Sequence, residues 1–503
     1  MTPTWRLWRE DKEAVARQLA ERGDLEGHSS AFGDNDLIVG FLMMEGFWSV
    51  LVDTEADGLR KDNGYPPRIL NGLWALCELA GVERIAQSGK VLGDEALLRM
   101  VGFQGEQIEA ARAKGKLRVD PETLSNHLGR ISREAVERSW WEHVRLLRSK
   151  RWYRGGVYAV DGTTITIPYG EAANYKGAEQ VGDACGYKLV VILNIDEGHE
   201  RVVAWALGGL ARSERTLLRY LLRRLREQFG RPGDWMKVLV MDRGYWGARL
   251  LLDLKRREGV DFVVRAGNDK LDVVKNMDGL AKLPATLWHE RQEDHSRLGR
   301  MRVKMAGITE LPLFDERDRE LGTCRGVIAE EYDIQGQRLP ERPRFHYITS
   351  LAVDPLSADS VQAVRTYYRR RWSVENQGFW VLTKRWNLDT IVARNLDANR
   401  ARLNFALQLY NTENCCAWKH PGTFQEELPR LKRPARGDRL GRPSIMVYTP
   451  DGKVGAFQVR EYRDLVTQAV ERAVQVRAKK NLKADIAQAL QAGKSIEEIL
   501  RDL

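Results

Sequence analysis

From about residue 155 the chain changes texture, and the order of the segments beyond that point is its strongest constraint on fold. Val157–Val160, Leu189–Ile195 and Val202–Leu207 are short apolar runs that read as strands. Ser213 then caps an expected helix, Glu214–Phe229, closed by Gly230. Leu217, Leu218, Leu221, Leu222 and Leu225 give that helix an apolar face, and arginines line the other. Val238–Met241 is a fourth strand, Ala248–Glu258 a helix and Phe262–Val264 a further strand. Three strands followed by alternating helices and strands require α/β architecture.

That order matches the ribonuclease-H-like fold, in which the first and fourth strands lie side by side. The flanks differ in texture. Residues 1–150 read as a helical N-terminal region with room for a DNA-binding helix-turn-helix. Within it, Asp120-Pro121-Glu122 looks like a helix start, and Gly129 a break in the apolar spacing that continues to Arg148. Residues 151–267 form the first part of the core, 268–345 a β-rich insertion and 346–418 the second part of the core. Residues 419–503 read as an extended connector, rich in Pro, Gly and Arg to about 455, followed by a charged helical C-terminal region.

With 503 residues the chain exceeds one ordinary core, and 43% apolar content supports globular domains. The net charge of +10 permits nucleic-acid binding without requiring it. Five cysteines without a Cys-x-x-Cys pair suggest reduced thiols in a cytoplasmic protein and no zinc ribbon. The longest apolar stretch, Leu37 to Val52, is short and broken by Glu45, so no membrane span is expected. There is no Gly-x-Ser-x-Gly elbow and no phosphate loop ending in Gly-Lys-Ser/Thr.

Two apolar runs end in aspartate: Asp161 in VYAVDGT and Asp242 in KVLVMDRGYW. Either alone is readily a turn or capping residue. On adjacent strands their carboxylates converge, and a set of carboxylate oxygens suits Mg²⁺ or Mn²⁺ rather than zinc. A third acid, Glu375, lies on an expected helix over Ala358–Trp386. Val361, Val364, Tyr368, Trp372, Glu375, Phe379, Leu382 and Trp386 form a stripe at helical spacing, and Glu375 is its charged member. A carboxylate there must be paired, neutralised or metal-bound, because burying a lone charge costs several kcal/mol. Arg371 is spaced to pair with it. The arginines of this helix, with Tyr367, Tyr368 and Trp372, make a candidate surface for phosphates and an unstacked base.

With these residues in view, the chain resembles bacterial insertion-sequence transposases of the DDE type. The group it resembles has a β insertion before the final Glu and a Tyr-x2-Arg-x3-Glu-x6-Lys signature. Tyr368, Arg371 and Glu375 match that spacing, while Leu382 stands where the Lys belongs. The resemblance implies Asp161, Asp242 and Glu375 as catalytic metal ligands holding two Mg²⁺ or Mn²⁺ ions. It implies DNA contacts from Tyr368 and Arg371, and it places Lys384 and Arg385 near the position of the absent Lys. It also offers Trp288 in the insertion as a residue that holds a flipped base, beside its plain structural role. The implied partners are double-stranded DNA, as terminal inverted repeats and target, and a second copy of the chain assembled on DNA ends, in the bacterial cytoplasm and nucleoid. An inactive DNA-binding descendant and a stand-alone nuclease of the same fold are the alternatives.

Overall fold

The computed structural model describes the chain except residues 1–8, 24, 26, 31–34, 58–63, 83, 168–173, 196–199, 268–270, 296–298, 316, 318, 338–343, 374–379, 385, 392, 421–443, 452, 496–497 and 499–503. The chain divides into two compact units, one of residues 1–54, 59–125 and 422–503, the other of residues 55–58 and 126–421. The first unit joins the two ends of the chain. A hairpin of Ser444–Tyr448 and Val454–Gln458 pairs antiparallel with Gly27–Ser30. The region expected to be an extended connector thus holds two strands among its described residues. Val447 and Phe457 from the hairpin pack with Val15, Leu19 and Leu25, and the long helix Val459–Gln491 adds Tyr462, Leu465 and Val466.

The second unit opens with helix α1 (Arg133–Ser149), capped by Ser132, whose hydroxyl accepts from Ala135 N at 3.2 Å. The preceding helix, Pro121–Leu128, stops just before Gly129, where the apolar spacing anticipated a break. Strands β1 (Val157–Thr166), β2 (Glu179–Val181), β3 (Ala184–Asn194) and β4 (Arg201–Gly209) come next. Helix α2 (Glu214–Phe229) is capped by Ser213, which accepts from Thr216 N at 3.2 Å. Then come β5 (Val238–Met241), α3 (Ala248–Asp253) running into a π-turn at Leu254–Glu258, and β6 (Asp261–Arg265). Beyond these lie α4 (Asp272–Leu280), β7 (His289–His295), β8 (Gly299–Phe314), β9 (Glu320–Tyr332) and β10 (Phe345–Thr349). Helices α5 (Ala358–Ser373), α6 (Trp380–Lys384) and α7 (Leu396–Lys419) complete the unit.

One ten-stranded sheet carries all these strands, in the order β2–β3–β1–β5–β6–β10–β9–β8–β7, with β4 also on β3. β1, β3 and β4 are antiparallel, whereas β1–β5 and β5–β6 are parallel. This is the ribonuclease-H-like order expected from the sequence. The strands of 268–345 extend the same sheet, because β10 pairs antiparallel with β6. β5 is buried along its whole length, which explains its unbroken apolar run.

α7 is tied to the edge strand β4 by a backbone mimic. Asn411 Oδ1 accepts from Val202 N at 2.7 Å and its Nδ2 donates to Val202 O at 2.8 Å. Asn411 is fully buried, and its removal takes the acceptor from Val202 N at about 1–3 kcal/mol, while Val202 O keeps a bond from Tyr153 Oη at 2.9 Å. Asn411→Ala should therefore lower stability by about 2 kcal/mol in urea denaturation, whereas Asn414→Ala, which removes one bond to Glu200 O from a half-buried side chain, should cost less.

Candidate active site

Asp161 sits where β1 passes from buried to half-buried residues, and the strand continues through it to Thr166. Asp242 follows the last residue of β5 and opens a short 3-10 turn, Arg243–Tyr245. It occupies the capping position but makes no side-chain capping bond, so the ordinary reason for an aspartate there does not apply. Val160 pairs with Met241 in parallel register, so the two aspartates leave neighbouring strands at the same level.

Helix α5 reaches both. Arg371 Nη1 lies 3.6 Å from Asp161 Oδ2, and Tyr368 Oη donates to Asp242 Oδ1 at 3.3 Å. Asp161 Oδ1 also accepts from Gly162 N at 2.8 Å. The Arg371 guanidinium lies 5.3 Å from the Tyr368 ring centre. Burial pushes the Tyr368 hydroxyl up to about 12; Arg371 opposes the rise and Asp242 adds to it. The phenol therefore keeps its proton at neutral pH and serves Asp242 as a donor.

Three further groups flank the aspartates and were not singled out from sequence. Glu214, in the first turn of α2, holds Lys188 of β3 at 3.6 Å. A Cβ on Gly162 would come within 2.7 Å of the Glu214 carboxylate and one on Gly244 within 3.3 Å, so both glycines make room for it. Tyr245 is fully buried, and among the described residues its hydroxyl has no hydrogen-bond partner. Burial raises its pKa well above the ordinary tyrosine value, with added push from Glu214, Asp161 and Asp242. The glycines beside both aspartates were the available signal, but a glycine after an aspartate is also plain turn chemistry.

Successive strand residues point to opposite faces. Gly162 faces Glu214 of α2 while Asp161 meets Arg371 of α5, so these two helices cover opposite faces of the sheet.

The basic helix is less open to phosphates than its sequence implies. Arg365 is buried, and its guanidinium is divided between two glutamates of the inserted strands. Its Nε and Nη2 donate to Glu293 at 3.1 and 3.0 Å, and Nη2 also reaches Glu331 at 2.7 Å. Arg369 and Gln362 add bonds to Glu293 at 2.5 and 2.9 Å. Tyr347 accepts from Arg365 at 3.3 Å, and its ring lies 5.1 Å from that of Tyr368. Arg365 and Arg371 are thus buried charges on a helix where sequence spacing picked out Glu375 alone.

The structure brings Asp161, Asp242, Tyr368 and Arg371 together. Glu375 and Arg385 lie outside the described residues. Lys384 is exposed at the end of α6 and Trp288 is half-buried just before β7. Among the described residues neither joins the aspartates by a hydrogen bond or ion pair. The remainder of the expected stripe, Val361, Val364, Tyr368, Leu382 and Trp386, is buried where its side chains are described.

Among the described residues no three His, Cys, Asp or Glu side chains form a group ready to hold a metal ion. Asp161 and Asp242 supply two half-buried carboxylates at one level, an oxygen donor set that fits Mg²⁺ or Mn²⁺ if a third ligand joins them.

The family model for the transposase DDE domain matches residues 152–412, more than half of the chain, and the chain belongs to that family. No curated protein matches it in sequence. Among solved structures it is similar to the piggyBac transposase in a cryo-EM synaptic complex with hairpin DNA, at 8% identity and a TM-score of 0.37, covering 89% of this chain and 84% of that one. That likeness is distant, and the residue assignments rest on this chain's own geometry.

The Glu293 cluster gives a pH prediction. Burial works to raise its carboxyl, but Arg365, with Gln362 and Arg369, outweighs burial and holds it below the ordinary range. A carboxyl depressed in the folded state contributes its stability in full above the unfolded value, about 4.3, and loses it as pH falls through the folded value. Glu293→Gln should cost about 3 kcal/mol at pH 7, the low end for a broken buried ion pair. The gap from wild type should shrink toward zero as denaturation is repeated below about pH 4.

Proposed function

We propose that this chain is a DNA transposase that cuts at the ends of its element and joins them to target DNA. The supporting observation is the parallel register that sets Asp161 and Asp242 side by side, each held by one side chain of α5. Asp161, Asp242 and Glu375 would hold the divalent ions, Mg²⁺ or Mn²⁺, two per site. When bound, those ions supply charge that activates a water or 3′-hydroxyl and stabilises the departing 3′-oxygen.

The chain's own groups do the rest. Tyr368 keeps its proton and fixes the Asp242 carboxylate for ligation. Arg371 balances the charge of Asp161 and, with Tyr368, receives the phosphate next to the reacting one. Positioning and charge stabilisation then carry the displacement at phosphorus, with no side chain required as base. Lys384 and Arg385 extend the phosphate contacts where the signature Lys is replaced by Leu382, whose side chain is buried in the core. Trp288 is proposed for an unpaired base near the cut. The active form is a dimer assembled on two inverted repeats, of the bacterial insertion-sequence type and located at the nucleoid.

Asp161→Asn, Asp242→Asn and Glu375→Gln should each lower Mg²⁺-dependent nicking of a DNA end by at least roughly a hundredfold, with gel-shift affinity for that DNA retained. Wild-type activity in any one removes that residue from the metal site. Hydrolysis by the wild type with no strand-transfer product would replace the transposase reading with a nuclease of the same family.

A further inference from the structure

Helix α2 leaves the carboxylate site with arginines on its outer surface. Arg215, Arg219 and Arg223 are all exposed and recur every fourth residue, a rise of about 6 Å per step. Two of them, Arg219 and Arg223, help to line a groove of about 760 Å³ that also takes in Arg212, just before the helix cap, and Arg257, from the π-turn after α3. Trp205 and Tyr220 form part of its wall.

The charge of this groove is not balanced from within. Of its four acids, Glu137 is engaged by Arg133 and Arg224 and Glu258 by Arg226, which leaves Glu179 and Asp253 against Arg212, Arg219, Arg223 and Arg257. Arg223 is weakly paired with Glu227 at 3.8 Å. Among the described residues, Arg212, Arg219 and Arg257 form no ion pair with an acid. Like charges gathered in one groove repel, and a row of phosphates relieves that repulsion. Guanidinium groups suit phosphate because their planar forks match its oxygens.

We infer that this groove is a second DNA-binding surface, one that grips the duplex backbone without reading sequence. This rests on the transposase reading and adds to it a place for DNA beyond the carboxylate site. Arginines spaced along a helix contact phosphates and position a duplex, whereas base recognition needs side chains inserted into a groove.

The test uses the full chain with the triple variant Arg212→Ala, Arg219→Ala, Arg257→Ala, whose side chains make no hydrogen bond or ion pair among the described residues. Fluorescence anisotropy with two short duplexes of unrelated sequence measures affinity across a salt series. Each phosphate contact contributes about 0.9 to the slope of log affinity against log salt, so the triple variant should lose about 2 to 3 in slope. Affinity at low salt should fall by roughly ten- to a hundredfold, equally for both duplexes. Circular dichroism and Mg²⁺-dependent nicking of a minimal end should stay at wild-type level. A wild type that binds both duplexes, with an unchanged slope in the variant, overturns this inference alone. A loss confined to one sequence also overturns it, because the surface would then be reading bases. A wild type that binds neither duplex removes the transposase reading together with it.

Discussion

Strand β5 is four residues long and buried on both faces, and it runs parallel to β1 with Val160 opposite Met241. Sliding β5 by one residue would draw Lys237 or Asp242 into that buried stretch and carry Asp242 away from its place beside Asp161. The slip would also push one end of the Val238–Met241 run out of its buried place, and each fully buried Val, Leu or Met contributes about 1.5–3 kcal/mol. The carboxylates stand side by side because the strands beneath them cannot move independently. Everything else at the site is arranged around that fixed pair.

Helix α5 is the second fixed part, and polar contacts hold it in place. Its buried Arg365 is satisfied by Glu293 and Glu331 from the inserted strands β7 and β9, which extend the sheet beyond β10. One and nearly two helical turns further on, Tyr368 and Arg371 meet the aspartates. A buried guanidinium without both glutamates would be costly, so the position of α5 depends on the inserted strands being in register. The insertion is thereby linked to the site through named side chains: the strands that extend the sheet also hold the helix that reaches the carboxylates.

How much of this could be read in the sequence depends on the range of each interaction. Ser213 and Gly230 mark helix ends through contacts a few residues apart, and these were legible, whereas the cap at Ser132 was not singled out. So were the strand runs and both aspartates, because apolar periodicity is local. The partners of Arg365 were not, since Glu293 and Glu331 lie 72 and 34 residues away in sequence and look like ordinary surface acids there. The hairpin at Ser444–Tyr448 and Val454–Gln458 was hidden for the same reason, because its first strand pairs with Gly27–Ser30 at the other end of the chain. Glu214 and Tyr245 were hidden by their ordinary roles, a first-turn acid and a core aromatic.

Hydroxyl-radical cleavage by bound iron tests most directly whether the two carboxylates share an ion. Fe²⁺ substituted for Mg²⁺, with ascorbate and peroxide, cuts the backbone close to where the ion sits. Cuts should cluster around residues 161 and 242 together, both suppressed by excess Mg²⁺. Cuts at one of the two without the other, or cuts elsewhere that Mg²⁺ does not suppress, would contradict a shared ion between these carboxylates.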